Sequence, residues 1–173
     1  LSAATHLVLP GVGHFREGIR SLNERGILPQ LKDLVRDKKI PILGICLGMQ
    51  LLTRSSEEGD CEGLGFIAAQ TKRFPESRGF PRLAIPHVGP NQLIDCRGKL
   101  YSEIQSHPSF YFTHSFYVDC DSLDVVTAKA HYGVEFAASI EQDNVFAVQF
   151  HPEKSHDVGL KLLSNFVTSE ARL

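Results

Sequence analysis

The stretch Ile-Pro-Ile-Leu-Gly-Ile-Cys-Leu-Gly, at residues 40–48, constrains the fold of this chain more than any other feature. Its first part, Ile40 to Ile45, is an apolar run typical of a strand buried on both faces. Good helix formers follow Cys46, and Gly44 and Gly48 stand two residues away on either side. A strand that turns sharply into a helix leaves no room for side chains at those two positions. The spacing therefore predicts a strand–helix corner with a cysteine at its apex.

A cysteine at such a corner has two properties of a nucleophile. The amide groups at the start of a helix favour a thiolate, and they can later stabilise a developing oxyanion. The alternative is a buried structural cysteine beside two glycines that serve only close packing. The stretch by itself leaves both interpretations open.

Size and composition indicate one ordinary globular domain spanning residues 1–173. The net charge of −2 gives no indication of a nucleic-acid or membrane surface, and the longest uncharged run is too short to cross a bilayer. The four cysteines are scattered without a C-x-x-C pair, so neither a metal site nor a disulfide framework is expected. We therefore expect reduced thiols and a cytoplasmic protein.

The hydrophobic pattern predicts alternating strands and helices early in the chain and mostly strands later. The predicted strands are residues 6–9, 40–45, 110–118, 125–130, 134–140 and 145–150. Four helices are predicted. The first has Phe15, Ile19 and Leu22 on its apolar face, the second has Leu31, Leu34 and Val35, and the third covers residues 47–52. The last begins after an N-cap at Asp157 and has Leu160, Leu163 and Phe166 on its apolar face. Residues 74–91, rich in proline and glycine, are expected to form an irregular loop or short strands. This order predicts an α/β fold with a mainly parallel central sheet, flanking helices and an antiparallel extension.

The best base for Cys46 among the eight histidines is His151, because it directly follows a predicted buried strand. Glu153, two residues on, can accept the other imidazole N–H and fix the tautomer, as in a Ser–His–Asp triad. A surface histidine beside a carboxylate is the simpler alternative for this short motif. The glycines of Pro-Gly-Val-Gly at 10–13 form either a tight turn or a loop whose amides approach a ligand. The dinucleotide-binding fingerprint is not matched, because Arg16 stands where its third glycine belongs.

Four segments together resemble the triad, or class I, glutamine amidotransferases. They are P-G-V-G-H-F (10–15), G-I-C-L-G-M-Q-L-L (44–52), S-E-E-G (56–59) and Q-F-H-P-E-K-S (149–155). P-H-V-G-x-N at 86–91 and F-T-H-S-F at 112–116 make the chain most similar to the glutaminase subunits of imidazole glycerol phosphate synthases. The resemblance covers nearly the whole chain and implies a flavodoxin-like fold.

The resemblance implies roles for individual residues. It implies a catalytic triad of Cys46, His151 and Glu153. It implies an oxyanion hole formed by Leu47 and the segment Gly11, Val12 and Gly13. The residues implied to contact substrate are Gly13, Gln50, Glu58, His114, Ser115 and Phe116. Neither a metal nor a cofactor is expected.

The implied reaction is hydrolysis of L-glutamine to glutamate and ammonia, with the ammonia passed to a (βα)₈ cyclase subunit in histidine biosynthesis. The expected partners are therefore glutamine and that cyclase, in a heterodimer, with no nucleic acid and no membrane. Two alternatives stay open: a paralogue that supplies ammonia to a sugar-modifying synthase, and an inactive subunit that regulates a partner.

The sequence departs from the family at two places. The family opens with a strand–helix–strand unit of about three dozen residues that has no counterpart before Leu1, so we expect an N-terminally truncated domain. Pro90 stands where the family usually has tryptophan, in a segment that the resemblance places near the partner. Coupling to the partner is expected to differ there.

Overall fold

The computed structural model of the chain describes residues 3–75 and 83–169. Its strands are β1 (Leu7–Gly11), β2 (Ile42–Cys46), β3 (Ser55–Ser56), β4 (Cys61–Glu62), β5 (Ala69–Arg73), β6 (His87–Gln92), β7 (Ser109–His114), β8 (Phe116–Cys120), β9 (Val126–Tyr132), β10 (Val134–Gln142) and β11 (Val145–Val148). Its α-helices are α1 (Phe15–Glu24), α2 (Leu28–Lys32), α3 (Leu47–Leu51) and α4 (His156–Val167). A π-helical turn, Asp33–Asp37, continues α2, and 3₁₀ turns cover Lys99–Tyr101, Leu123–Val125 and Pro152–Lys154.

Most of the described strands form one mixed sheet in the order β1-β2-β11-β10-β8-β5-β3-β4, with β9 paired to β10. Strands β1, β2 and β11 are parallel, and antiparallel pairing begins at β10. Strands β6 and β7 form a separate antiparallel ribbon. The predicted architecture, a parallel sheet with flanking helices and an antiparallel extension, is confirmed.

Strand β2 lies inside the sheet and all five of its residues are buried. Leu43 and Ile45 point to one face, where they join a core that includes Phe166 of α4. Ile42 points to the other face and packs with Leu34 of the π-helical turn. Burial on both faces explains why this strand is continuously apolar rather than alternating.

The predicted strand 110–118 is in fact two strands in different sheets. The chain breaks at Ser115, so that β7 pairs with β6 and β8 pairs with β5. The alternating pattern continues through the break, and periodicity therefore could not detect it. The break turns out to lie in the candidate site.

Two boundaries and the exposure of one residue also differ from the prediction. The last helix begins at His156 after Ser155, and Asp157 lies in its first turn instead of capping it. Leu160 was predicted to face the core but is 64% exposed, because Leu162 and Phe166 form the buried face. Strand β1 continues through Pro10 and Gly11. A proline is tolerated there because β1 is an edge strand of the described sheet, where a missing N–H need not be paired.

Part of the proline- and glycine-rich segment predicted at 74–91, residues 76–82, lies outside the described residues, while β6 occupies its end. Among the helices of the described residues, none is long and apolar enough to cross a membrane.

Candidate active site

The predicted corner at Cys46 is present, and its geometry explains the two glycines. Cys46 ends β2 and precedes α3 with φ of 54° and ψ of −108°, a conformation that costs energy for any residue with a Cβ. A Cβ on Gly44 would lie 2.8 Å from the backbone of Gly48, and one on Gly48 would lie 1.7 Å from the carbonyl oxygen of Leu9. Side chains at either position would force the corner open.

The thiol of Cys46 is buried beside an amide and a carbonyl. The Gln149 amide donates towards its sulfur at 3.8 Å, and the thiol faces the carbonyl oxygen of Thr113 at the same distance. Burial raises the pKa of Cys46 to about 11, although the backbone N–H of Leu47 lowers it. The expected helix-terminus effect is therefore real but outweighed, and the resting group is a thiol.

His151 and Glu153 form the predicted pair. The Glu153 carboxylate lies 2.7 Å from Nδ1 of His151, which places a proton on Nδ1 and leaves Nε2 with its lone pair. His151 is buried, and its Nε2 is a buried side-chain nitrogen without a hydrogen-bond partner among the described residues. An unpaired basic nitrogen in a buried position is suited to accept a proton from a reacting group.

The parallel sheet brings these groups to one edge. Gly11 at the end of β1 pairs with Cys46 at the end of β2, and Ile45 pairs with Val148 at the end of β11. His151 follows β11 by three residues. The predicted nucleophile, the predicted base and the glycine loop therefore lie together at the carboxyl ends of the strands, where open α/β sheets bind ligands.

A cavity of about 270 Å³ opens above Cys46. It is lined by nine of the residues predicted for the site, together with Pro86 and Thr113: the nine are Val12, Gly13, Cys46, Leu47, Gln50, Glu58, His114, Ser115 and Phe116. Gly11, His151 and Glu153 are not among its lining residues. The volume suits a small molecule, and its lining mixes polar and apolar groups.

The predicted substrate residues are held by specific hydrogen bonds. Gln50 donates to the carbonyl oxygen of Phe116 and to Oε1 of Gln149, both at 3.1 Å. The carboxylate of Glu58 accepts a hydrogen bond of 2.7 Å from the backbone N–H of Phe15. Glu58 therefore ties the acidic turn to the first residue of α1, directly after the glycine loop.

Sequence reasoning missed the contributions of Thr113, Gln149 and Ser155. The carbonyl of Thr113 has no sequence signal, because any residue carries one. Gln149 directly precedes Phe-His-Pro-Glu and could have been noticed as a buried amide at the strand end. Ser155 is buried and donates a 2.6 Å hydrogen bond to the carbonyl oxygen of His151. In the part of the chain that is described, no group of three or more His, Cys, Asp or Glu side chains could hold a metal ion.

Comparisons with known proteins agree with this geometry. The family described as "Glutamine amidotransferase class-I" matches residues 2–169. The imidazole glycerol phosphate synthase subunit HisH 1 of Campylobacter jejuni (strain RM1221) is 52% identical over 169 residues, covering 96% of this chain and 82% of the relative. The HisH subunit of Leptospira interrogans is 44% identical over 169 residues, covering 97% and 83%.

Solved structures share the fold at lower identity. A crystal structure described as a glutamine amidotransferase aligns with a TM-score of 0.71 at 20% identity, covering 97% of this chain and 82% of that one. The crystal structure of a glutamine amidotransferase from Thermotoga maritima aligns with a TM-score of 0.64 at 18% identity, covering 96% and 64%. At this level of identity, the alignments show a shared fold and nothing further.

Proposed function

The chain belongs to the class-I glutamine amidotransferases, and within them to the HisH subunits of imidazole glycerol phosphate synthases; from this we propose that it hydrolyses L-glutamine and supplies the ammonia to a (βα)₈ cyclase subunit in histidine biosynthesis. One observation carries the proposal. The thiol of Cys46 opens into a cavity sized for a small molecule, at the same sheet edge as a buried histidine whose Nε2 is unpaired and whose Nδ1 is fixed by Glu153.

In the proposed first step, Nε2 of His151 takes the thiol proton as the sulfur of Cys46 attacks the side-chain amide carbon of glutamine. The oxyanion accepts a hydrogen bond from the N–H of Leu47, which already contacts the sulfur, and a second from an amide in the segment 11–13. His151 then gives its proton to the departing nitrogen. Ammonia and a glutamyl thioester result.

In the second step, His151 removes a proton from water as the water oxygen attacks the thioester carbonyl. The bond between carbon and sulfur breaks, the thiol is restored with the proton from His151, and glutamate leaves. Glu153 does not touch the reacting atoms in this scheme; it holds the imidazole in the reactive tautomer and stabilises the imidazolium.

The proposal assigns glutamine to the cavity in a defined orientation. The side-chain amide lies over Cys46, and the α-ammonium group pairs with the carboxylate of Glu58 at the opposite wall. Gln50 and the segment from His114 to Phe116 complete the lining. The α-ammonium–carboxylate pair then orients the substrate relative to the sulfur.

We further propose that the cyclase controls turnover through the glycine loop. Gly13 has a positive φ of 107°, and the side chain of Val12 is exposed, so the peptides of the loop are free to reorient. An amide turned away from the cavity leaves the oxyanion hole short of one donor, which costs about 10²–10³ in rate. Docking then selects the orientation that points the N–H inward.

The exposed side of the β6–β7 ribbon is the proposed docking face. Val88 and Pro90 are exposed on β6, next to Pro86 at the rim of the cavity. Ammonia leaving the cavity on this side enters the partner without meeting bulk water. All four cysteines are free, which supports a reducing compartment, and we place the activity in the cytoplasm.

The test is glutamine hydrolysis by the chain alone and with its cyclase plus the nucleotide ligand of the cyclase. We expect turnover to rise about 10²-fold or more in the complex. Cys46→Ser should abolish it, while Cys61→Ser, which changes a thiol outside the cavity, should leave it unchanged.

The alternatives give different results in the same experiment. A subunit that only regulates its partner would show no turnover in any condition. A paralogue that serves a sugar-modifying synthase would hydrolyse glutamine but would not respond to the cyclase. Equal turnover with and without the cyclase would contradict the gating proposal and would favour the paralogue over the cyclase-linked subunit.

A further inference from the structure

Two buried histidines lie face to edge behind the cavity wall. His87 on β6 and His114 on β7 are cross-strand partners, and they are 3% and 6% exposed. Nδ1 of His87 lies 3.0 Å from Nε2 of His114. His114 lines the cavity, and His87 does not. His87 therefore influences the cavity only through its neighbour.

One backbone carbonyl fixes the protons of both rings. Nδ1 of His114 lies 2.7 Å from the carbonyl oxygen of Phe116, which can only accept, so Nδ1 carries the hydrogen. In the neutral ring Nε2 then holds a lone pair and accepts from Nδ1–H of His87. Nε2 of His87 in turn accepts from the amide of Asn91, 3.3 Å away. The hydrogen bonds run in a single direction from Asn91 to Phe116.

Both rings are held neutral by their surroundings. Burial lowers the pKa of His114 to about 3 and that of His87 to about 4. The ring of His87 stacks on Phe112, with centroids 4.9 Å apart, and on Tyr132, at 4.0 Å. These contacts hold the plane of the ring, and the hydrogen bonds at its two nitrogens direct Nδ1 towards His114.

The series of hydrogen bonds from Asn91 to Phe116 ends on groups that line the cavity. The carbonyl of Phe116 also accepts a hydrogen bond from Gln50, whose amide continues to Gln149 and so to the sulfur of Cys46. The polypeptide changes sheets at Ser115: His114 pairs with His87 before the change, and Phe116 pairs with Arg73 after it. The carbonyl of Ser115 accepts the backbone N–H of Phe74. The hydrogen bonds of His114 and Gln50 to Phe116 add to this pairing.

We propose that His87 is a positioning residue for the glutamine site: its Nδ1–H holds His114 in the Nδ1–H tautomer and so fixes the wall formed by His114, Ser115 and Phe116. This role rests on the proposed glutaminase function. His87 contacts neither substrate nor the reacting groups, so its loss should weaken glutamine binding more than it slows the chemistry.

The first measurement is the tautomeric state of the two rings, by long-range ¹H–¹⁵N NMR of the histidines in the full chain. We expect the hydrogen on Nδ1 in both His87 and His114. The free histidine side chain prefers Nε2–H, so the result distinguishes the proposed hydrogen-bond chain from an unconstrained histidine. A hydrogen on Nε2 of His114 would overturn the proposal without any activity assay.

The second measurement is glutamine turnover in the complex with the cyclase. His87→Phe keeps the stacked ring but removes the donor, and we expect KM to rise about tenfold or more with a smaller change in kcat. His87→Asn places an amide N–H near the position of Nδ1–H and should restore most of the affinity. His6→Phe is the control, since His6 also packs edge-on against a phenylalanine but lies away from the cavity.

The outcomes separate the two proposals. No turnover in the unsubstituted complex would contradict the glutaminase function and, with it, this role. Normal turnover there with KM equally raised in His87→Phe and His87→Asn, or raised in neither, would contradict the positioning role alone. If His87→Phe does not fold, the tautomer of His114 and the KM of His87→Asn still decide.

Discussion

Ser155 donates a hydrogen bond of 2.6 Å from its buried hydroxyl to the carbonyl oxygen of His151. The same oxygen atom of Ser155 accepts the backbone N–H of Tyr111 at 3.0 Å, and the N–H of His151 donates to the carbonyl of Tyr111 at 2.8 Å. The backbone of the proposed base is therefore fastened to β7, which carries one wall of the cavity. Ring orientation is set by Glu153, and ring position by Ser155.

Ser155→Ala should lower kcat for glutamine about tenfold and leave KM nearly unchanged, because the base moves and the substrate contacts do not. The backbone N–H of Tyr111, left without its acceptor, should also lower the free energy of unfolding by about 1–3 kcal/mol, whereas the carbonyl of His151 keeps the N–H of Lys154 at 3.1 Å. Steady-state kinetics and urea unfolding measure both. The exposed Ser164 of α4 provides the control, and Ser164→Ala should change neither quantity. A Ser155→Ala protein with raised KM and normal kcat would contradict the positional role.

The thiol of Cys46 should react slowly with iodoacetamide at neutral pH. Burial raises the pKa of this thiol to about 11. At any pH below that value, each increase of one pH unit therefore raises the thiolate fraction about tenfold. The alkylation rate constant should therefore rise steadily from pH 7 to pH 9 without a plateau. Mass spectrometry of peptides containing Cys46 measures it, and circular dichroism checks that the chain stays folded. A plateau near pH 7 would show that the helix terminus outweighs burial.

Glu153→Gln should lower kcat by about a hundredfold or more while KM changes little, since the neutral amide cannot stabilise the imidazolium. The carboxylate is half exposed, so the fold should tolerate the change. Glu62→Gln, an exposed glutamate on β4, is the matched control. A variant impaired mainly in KM would place Glu153 on the substrate.

The sequence predicts the parts of the site that depend on special backbone geometry or on side-chain chemistry. The Gly-x-Cys-x-Gly spacing predicts the corner because a Cβ at either glycine would lie only 1.7–2.8 Å from neighbouring atoms. The pair of His151 and Glu153 follows from its place after a buried strand. The break at Ser115 has no such signal, because a change of sheet preserves the alternation of the side chains.

Long-range hydrogen bonds were the least predictable. The contact of Gln50 with Gln149 joins residues 99 positions apart, and that of Tyr111 with Ser155 joins residues 44 apart. Their side chains look like ordinary polar residues until the fold brings α3 next to β11, and β7 next to the turn Pro152–Lys154. Of the residues predicted for the buried face of α4, Leu163 and Phe166 pack on the core and only Leu160 does not. A leucine at 160 fits the helical stripe, but Gly159 packs so closely on the carbonyl of Pro152 that it sets the buried side instead.

The stability of the chain should fall as the pH is lowered from 6.5 towards 4, partly because of His87 and His114. In the unfolded chain each takes up a proton near pH 6.5, whereas in the folded chain the pKa is about 4 or about 3. Unfolding then binds protons throughout this window, which lowers the free energy of unfolding by about 1.4 kcal/mol per pH unit for each histidine. Urea unfolding at pH 6.0, 5.5 and 5.0 measures the slope.

A substitution isolates the contribution of His87 to the pH dependence of the free energy of unfolding. His87→Asn should reduce that slope by about 1.4 kcal/mol per pH unit, because one proton fewer is taken up on unfolding. His107→Asn is the control: His107 is exposed and has a positive φ, which asparagine tolerates. An unchanged slope in His87→Asn would show that His87 is protonated in the folded chain.

Gly48→Ala should damage both stability and catalysis, because the added methyl would lie 1.7 Å from the carbonyl oxygen of Leu9. Since that oxygen belongs to the backbone of β1, the corner must open, and α3 must shift away from the sheet. The N–H of Leu47 would leave the sulfur, and the oxyanion hole would lose a donor. We expect the free energy of unfolding to fall by about 1–3 kcal/mol and kcat to fall by about 10² or more.

Gly18→Ala separates this effect from the general cost of replacing a helical glycine. A methyl at Gly18 of α1 would meet the flexible side chain of Leu51 at 3.0 Å, and that side chain can move. The substitution also gains helix propensity, so stability should stay within about 1 kcal/mol and kcat should be unchanged. Urea unfolding and steady-state kinetics on the two proteins measure the contrast. Full activity in Gly48→Ala with lowered stability would contradict the proposal that opening the corner takes the amide of Leu47 away from the oxyanion.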